Sequence, residues 1–299
     1  MSNAVIGPMK PNFLTLTPAC VLLGVATAFW SGAPLNPVYI ALILIGALLS
    51  HISVNALNEY YDFKSGLDLI TEPTPFSGGT KILPENPEKA HLALITGLVS
   101  LILTACIGVY FLIERGPWLL PLGILGLITV YAYTPLITRS PLLCLIAPGL
   151  GFGPLMVMGT DFVLTGHYSW TAAMASLVPF FLVNNLLLLN QFPDVEADRQ
   201  IGRNHLPIRI GRKFSSIVYA IFLCLTYVAI LAGCLLRVLP PGALIGLFTL
   251  ILAVPVMRGV MRYADDIPKL LPFMTKNVII NISTPVLIAL GLFFNRYFL

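Results

Sequence analysis

The chain has 299 residues, 57% hydrophobic and only 10% charged, with a net charge of +4 and a mean hydropathy of +0.89. Soluble domains carry about 25% charged residues, so water is not the main solvent of this chain. Four surplus positive charges, dispersed along the sequence, also exclude a nucleic-acid-binding face, which needs basic side chains concentrated in one place.

Taken in chain order, apolar runs between polar breaks predict nine transmembrane helices, near 14–32, 38–58, 91–113, 117–136, 141–160, 170–192, 214–236, 241–260 and 277–295. Ala26-Thr27-Ala28 mimics a signal-peptidase site, but the spans that follow make its run a first membrane helix. Pro148, Pro154, Pro255 and Pro285 fall inside runs, where helix neighbours in a bundle re-satisfy the freed backbone groups. Cys20, Cys106, Cys144, Cys224 and Cys234 lie singly in apolar surroundings and read as packing residues. The expected architecture is an all-α membrane protein, residues 1–299 forming a single polytopic domain.

Nine spans put the termini on opposite faces, and Lys and Arg mark the cytoplasmic one. Only Arg115, Arg237 and Arg296 fall opposite the N-terminus; the other 14 of the 17 basic residues share its face. Of the 13 acids, 11 do the same, the exceptions being Glu114 and Asp161, and the latter reads as a solvated loop residue. The N-terminus is therefore expected in the cytoplasm, with two long polar loops, about 59–90 and 193–213, on that side. Chemistry belongs there.

The second span runs into Asn58-Glu-Tyr-Tyr-Asp62-Phe-Lys64-Ser-Gly66-Leu-Asp68, the sixth into Asn190-Gln-Phe-Pro193-Asp194-Val-Glu196-Ala-Asp198-Arg199. Each carries Asn-x₃-Asp, four spans apart and pointing the same way. At about 100° per residue, positions i and i+4 lie within about 40° of each other, so Asn58 and Asp62 share a face, as do Asn190, Asp194 and Asp198. Asp68 joins that face only if the helix stops, and Gly66 is a suitable stop. Clustered carboxylates repel unless a cation lies between them. Mg²⁺ accepts a few carboxylates, keeps waters and bridges to phosphate oxygens, so two facing clusters suit a diphosphate. The Ser77-Gly78-Gly79-Thr80-Lys81 stretch offers backbone N–H groups to phosphate or serves as a flexible turn. Arg203 is close enough to Asp198 to share its site. His51, His91, His167 and His205 show no ligand spacing and read as polar anchors.

With these motifs in place, the sequence resembles the UbiA-type family of intramembrane prenyltransferases over essentially its whole length. The NEYYDFKSGLD segment is most similar to the branch that prenylates 1,4-dihydroxy-2-naphthoate for menaquinone biosynthesis. The resemblance implies Mg²⁺-diphosphate binding by Asp62, Asp68, Asp194 and Asp198, with Asn58 and Asn190 as supporting ligands. It implicates Tyr133 and Arg139 in handling the substrates, with Lys64, Lys81, Arg199 and Arg203 as basic partners. Where other members place a base before the Pro that precedes the Ser-Gly turn, this chain has Thr74. Lys64 or Lys81 is expected to supply that charge.

The implied chemistry is Mg²⁺-dependent ionisation of a polyprenyl diphosphate and attack by an electron-rich aromatic acceptor, at the inner membrane of a prokaryote and with lipid around the bundle. A tyrosine among Tyr60, Tyr61, Tyr131 and Tyr133 is expected to face the cation. Two other classes compete. A CDP-alcohol phosphatidyltransferase also uses Asp clusters, but its Asp-Gly-x₂-Ala-Arg stretch is absent. A cation transporter would carry acids near the bilayer midplane, not at span ends.

Overall fold

Apolar runs of this length can satisfy their backbone groups in lipid only by coiling into helices. The computed structural model describes residues 5–298 and contains no β-strand among them. Its principal helices are α1 (Leu16–Trp30), α2 (Pro37–Lys64), α3 (Ala90–Arg115), α4 (Leu120–Ala132), α5 (Pro141–Leu150), α6 (Trp170–Gln200), α7 (Leu206–Leu235), α8 (Leu250–Tyr263) and α9 (Ile267–Phe298). After α5 the chain continues as a π-helix, Gly151–Met158, and one more α-helical stretch, Gly159–Thr165. Seven continuous stretches, those of α2, α3 and α5 to α9, are long and apolar enough to cross a membrane. An eighth appears if Gly7–Phe13 and α1, bent by 55°, count as one span. Within the first of these two pieces, Lys10, in a left-handed backbone (φ 50°), separates two short turns, Gly7–Met9 and Pro11–Phe13. The expected fourth span, Pro117–Ala132, is apolar but short.

Two predicted ends are corrected, both at the polar motifs. Hydropathy ends the second span at 58, yet α2 runs to Lys64; it ends the sixth at 192, yet α6 continues through Pro193 to Gln200. The polar residues there turn their common face inward, so the helix continues where average hydropathy fails. α2 starts cleanly because Asn36 caps it, its Oδ1 accepting from the Val38 and Tyr39 amides at 2.9 and 3.3 Å, with Pro37 at the first helical position. It stops at Ser65 and Gly66, the latter at φ 81°, as the sequence predicts. The last helix starts ten residues earlier than expected, at Ile267.

α6 is the central post, with Leu182, Val183, Leu189 and Phe192 fully buried. α5 lies unusually close to it. A methyl group on Gly149 would come within 2.0 Å of the Phe180 carbonyl oxygen, and one on Gly153 within 2.4 Å of that of Ser176. Small residues four apart permit this backbone approach, which in lipid replaces the hydrophobic drive between helices. Asn184 of α6 completes the contact by accepting from the Gly149 amide at 2.6 Å. Ile102, Ile113, Ile251, Phe248 and Leu235 point outward, an apolar exterior that would be a liability in water and is ordinary against lipid. Asp161 is not the solvated loop acid the sequence suggests. It is buried at the end of the α5 span, accepting from Ser169 Oγ at 2.9 Å.

Candidate active site

The C-terminal ends of α2 and α6 line one cavity of about 270 Å³. Asn58 and Asp62 enter it from α2, Asn190, Asp194 and Asp198 from α6, and Asp68 from a single helical turn, Leu67–Ile70, that follows the Gly66 stop. Further along, the walls become apolar: Val54, Phe152, Met156, Leu186 and Leu187. The cavity therefore has a charged head and a greasy body.

Arg203 ties the two motifs together. After α6 ends, a turn at Gly202 (φ 80°) brings the chain back, and Arg203 Nη1 meets Asp198 Oδ1 at 2.9 Å while Nη2 bonds Asp62 Oδ1. Burial opposes the guanidinium charge, but Asp62 and Asp198 outweigh it and hold the arginine above its ordinary pKa. Asp198 is held on its other oxygen by His205 Nε2 at 2.8 Å, a contact the sequence reading missed. A basic residue seven positions past an acid gives no signal unless the reversal of the chain is known.

The loop after Asp68 folds over the head. Asp194 accepts from the Ser77 side chain and the Gly78 backbone. Gly79 presses on Asp68: a Cβ there would lie 2.4 Å from Asp68 Oδ1, at a φ of 72° that already disfavours a side chain. Asp68 is buried, and its Oδ2 has no hydrogen-bond partner. Burial first, then the neighbouring Glu59 and Asp62, push its carboxyl up to about 7. A buried carboxylate oxygen without a partner, beside a second acid and facing a cavity, suits a cation. Among the described residues no three ligating side chains converge as a ready-made metal cage. Mg²⁺ needs no such cage, since it binds through one or two carboxylates plus phosphate and water.

The predicted basic residues divide. Arg203 lines the cavity and Lys81 does not: its ammonium bonds the backbone carbonyls of Asp68 and Thr71, bracing the turn that presents Asp68. Lys64 is exposed over the Tyr60 ring, Arg139 is exposed, and Arg199 is exposed and paired with Glu196 at 3.1 Å. None of these three lines the cavity. The cation found in their place is Lys10, from the segment before α1. Its Nζ lies 2.9 Å from Glu59 Oε1 and 3.0 Å from Asn58 Oδ1. Glu59, fully buried, also accepts from the Thr80 hydroxyl at 2.8 Å, so the N-terminal segment, α2 and the covering loop meet on one carboxylate. In sequence, a lone lysine before a first span reads only as a topology marker. Of the four candidate tyrosines, Tyr133 alone lines the cavity.

A helical membrane-embedded chamber with an acid-lined, arginine-bridged head and an apolar body defines an integral membrane enzyme for substrates that join an anion to a hydrocarbon. The chain belongs to the UbiA prenyltransferase family, whose model matches residues 17–279. It is 30% identical to the 1,4-dihydroxy-2-naphthoate octaprenyltransferase of Bacillus subtilis, over 82% of this chain and 77% of that protein. It is 28% identical to the protein of the same name from Escherichia coli, over 99% and 97%. Among solved structures it superimposes on a UbiA homologue from Aeropyrum pernix with a TM-score of 0.71 at 16% identity, covering 94% and 97%. A UbiA homologue from Archaeoglobus fulgidus bound to DMAPP and Mg²⁺ matches with a TM-score of 0.58 at 14% identity, covering 96% and 98%. The fold is thus that of the family, and the chain is a prenyltransferase.

Proposed function

We propose that this protein transfers a polyprenyl group from its diphosphate to 1,4-dihydroxy-2-naphthoate, with Mg²⁺ as cofactor, in menaquinone biosynthesis. The observation that carries the reading is the cavity itself: Asp62, Asp68, Asp194, Asp198 and Arg203 at one end, and an apolar body of the kind isoprenoid carbon needs at the other. The family, the relatives named for this acceptor and the solved homologue bound to DMAPP and Mg²⁺ support it.

In this scheme Asp68, with its free Oδ2, would hold the metal together with Asp62 or Asp194 and the diphosphate oxygens, while Asn58 donates to Asp62 Oδ2 at 2.9 Å and Asn190 lines the same end. Bound Mg²⁺ supplies neutralisation of the diphosphate as it leaves. Arg203 and Lys10 stand at the same end and add fixed positive charge where negative charge develops, which is the form of stabilisation that costs no reorganisation. The loop at 77–79 closes over the head, and the apolar walls exclude water that would otherwise capture the allylic cation. Tyr133 presents an aromatic ring to it. The allylic C–O bond breaks, a ring carbon of the acceptor forms the new C–C bond, and the acceptor's carboxylate leaves as CO₂.

The 14-to-3 charge division supports a cytoplasmic N-terminus and an active site facing the cytoplasm, in a cell inner membrane. The decisive experiment gives membranes containing the protein a long-chain prenyl diphosphate with dihydroxynaphthoate or 4-hydroxybenzoate and weighs the products. A naphthoquinol product with CO₂ release is expected. Prenylated 4-hydroxybenzoate alone would transfer the assignment to another acceptor within the family, and ion movement without turnover would return it to a transporter.

A further inference from the structure

Two turns deeper than Asn58 on α2, His51 interrupts the apolar part of the cavity. Seven residues at about 100° and about 1.5 Å each bring the chain back to nearly the same face, about 10 Å along the axis. His51 therefore sits below the diphosphate end and on the same wall. Its ring is nearly sealed in, 8% exposed, and Phe152 meets it edge-on at 4.9 Å with the planes 80° apart. Its Nδ1 lies 2.8 Å from the hydroxyl of Thr17, a fully buried residue of α1. That hydroxyl has no other partner, so donating to Nδ1 satisfies it and leaves the ring proton on Nε2. Nε2 has no protein partner and is not among the buried orphan atoms, which leaves it open to the cavity that His51 lines.

A polyprenyl tail has no atom that can accept this proton. If hydrocarbon alone filled this depth, the N–H would be stranded, a cost a binding site does not carry without return. The geometry points to His51 as the residue that recognises the aromatic acceptor, its Nε2–H donating to a hydroxyl or carboxylate oxygen, with Thr17 fixing the tautomer and Phe152 the ring plane. The inference rests on the prenyl-transfer reading above and adds a specificity-determining contact to it. It also separates the two substrates in space: carboxylates and Arg203 take the donor's head, and His51 takes the acceptor.

The test compares wild type with His51→Leu, which keeps bulk but loses the donor, and His51→Gln, whose amide restores one. Each is purified in detergent and checked for monodispersity. Steady-state kinetics are then run against each substrate, with acceptor binding measured separately by equilibrium dialysis in the absence of prenyl diphosphate. In His51→Leu, kcat/KM for dihydroxynaphthoate and its affinity should fall about ten- to a hundredfold, with the KM for prenyl diphosphate unchanged. His51→Gln should recover most of the loss. A rise in the prenyl diphosphate KM with acceptor binding intact would place His51 along the tail and overturn the inference, as would two variants that match wild type. If His51→Leu is not monodisperse, His51→Gln retaining wild-type acceptor affinity while His51→Ala loses it still supports the contact, and equal affinities refute it. Wild type that prenylates no aromatic acceptor would instead remove the function reading, and this inference with it.

Discussion

At the scale of single residues, spacing on a helix separates the acids that matter from those that do not. Asp194 and Asp198 face the cavity, whereas Glu196, two residues from each, is exposed and pairs with Arg199. Asp62→Asn and Asp194→Asn keep shape and remove charge, so turnover should drop about 10²- to 10³-fold in protein that still folds. Glu196→Gln should stay within about twofold of wild type. Equal losses at 194 and 196 in the same assay would break the phasing argument. Asp68 adds a pH dependence. Its carboxyl, pushed up to about 7, holds a proton over much of the range where an ordinary Asp is ionised, and a divalent cation must displace that proton. Below about pH 7 the apparent Mg²⁺ affinity should therefore fall up to tenfold per pH unit, and above it level off. Turnover at limiting Mg²⁺ should follow that curve, saturating Mg²⁺ should flatten it, and Asp68→Asn should make it shallower. The acids and asparagines were readable in sequence because each type carries its chemistry by itself. Lys10, His51 and His205 were not, because their meaning depends on Glu59, Thr17 and Asp198, which only the folded chain brings near.

At the scale of elements, the sequence located the helices and misjudged their ends where it mattered. A hydropathy average stops at the first polar cluster, but a helix stops where its backbone must, at Gly66 and past Gln200. The π-helical stretch at Gly151–Met158 had no signal beyond its Gly and Pro content, since it answers to the packing of α5 on α6. The covering loop was equally obscure, a Gly-Gly pair being as common in slack turns as in tight ones. Here it is tight. Gly79→Ala would place a methyl on Asp68 Oδ1 at a left-handed φ, so it should cost roughly 1–2 kcal/mol from backbone strain alone and displace the Asp68 carboxyl from its place in the cavity as well. Turnover should fall more steeply than thermal stability does. A thermal shift with undiminished kcat/KM would mean that the loop lies back during catalysis.

At the scale of the whole molecule, the charge division makes a claim about sidedness that the fold alone does not. Cysteines introduced near Arg115 and Arg237, in protein cleared of its native thiols, should react with a membrane-impermeant reagent in intact cells. Those near Ser77 and Gly202 should react only after permeabilisation. Labelling of Ser77 from outside would invert the assigned orientation. The Arg203 bridge has a temporal side too. Glu59 finds Lys10 and Thr80 within the first third of the chain, so that carboxylate is compensated soon after it is made. Asp62 waits for a guanidinium 141 residues downstream. Until the ribosome has delivered both α6 and the return loop, α2 carries a charge that cannot be buried without heavy cost. The first half of the bundle must therefore stay open at this end during synthesis. Pulse-chase protease protection should show residues 59–80 cleavable in chains halted before 203 and protected once Arg203 has emerged from the ribosome, so that this side of the active site closes only after the second motif has been made.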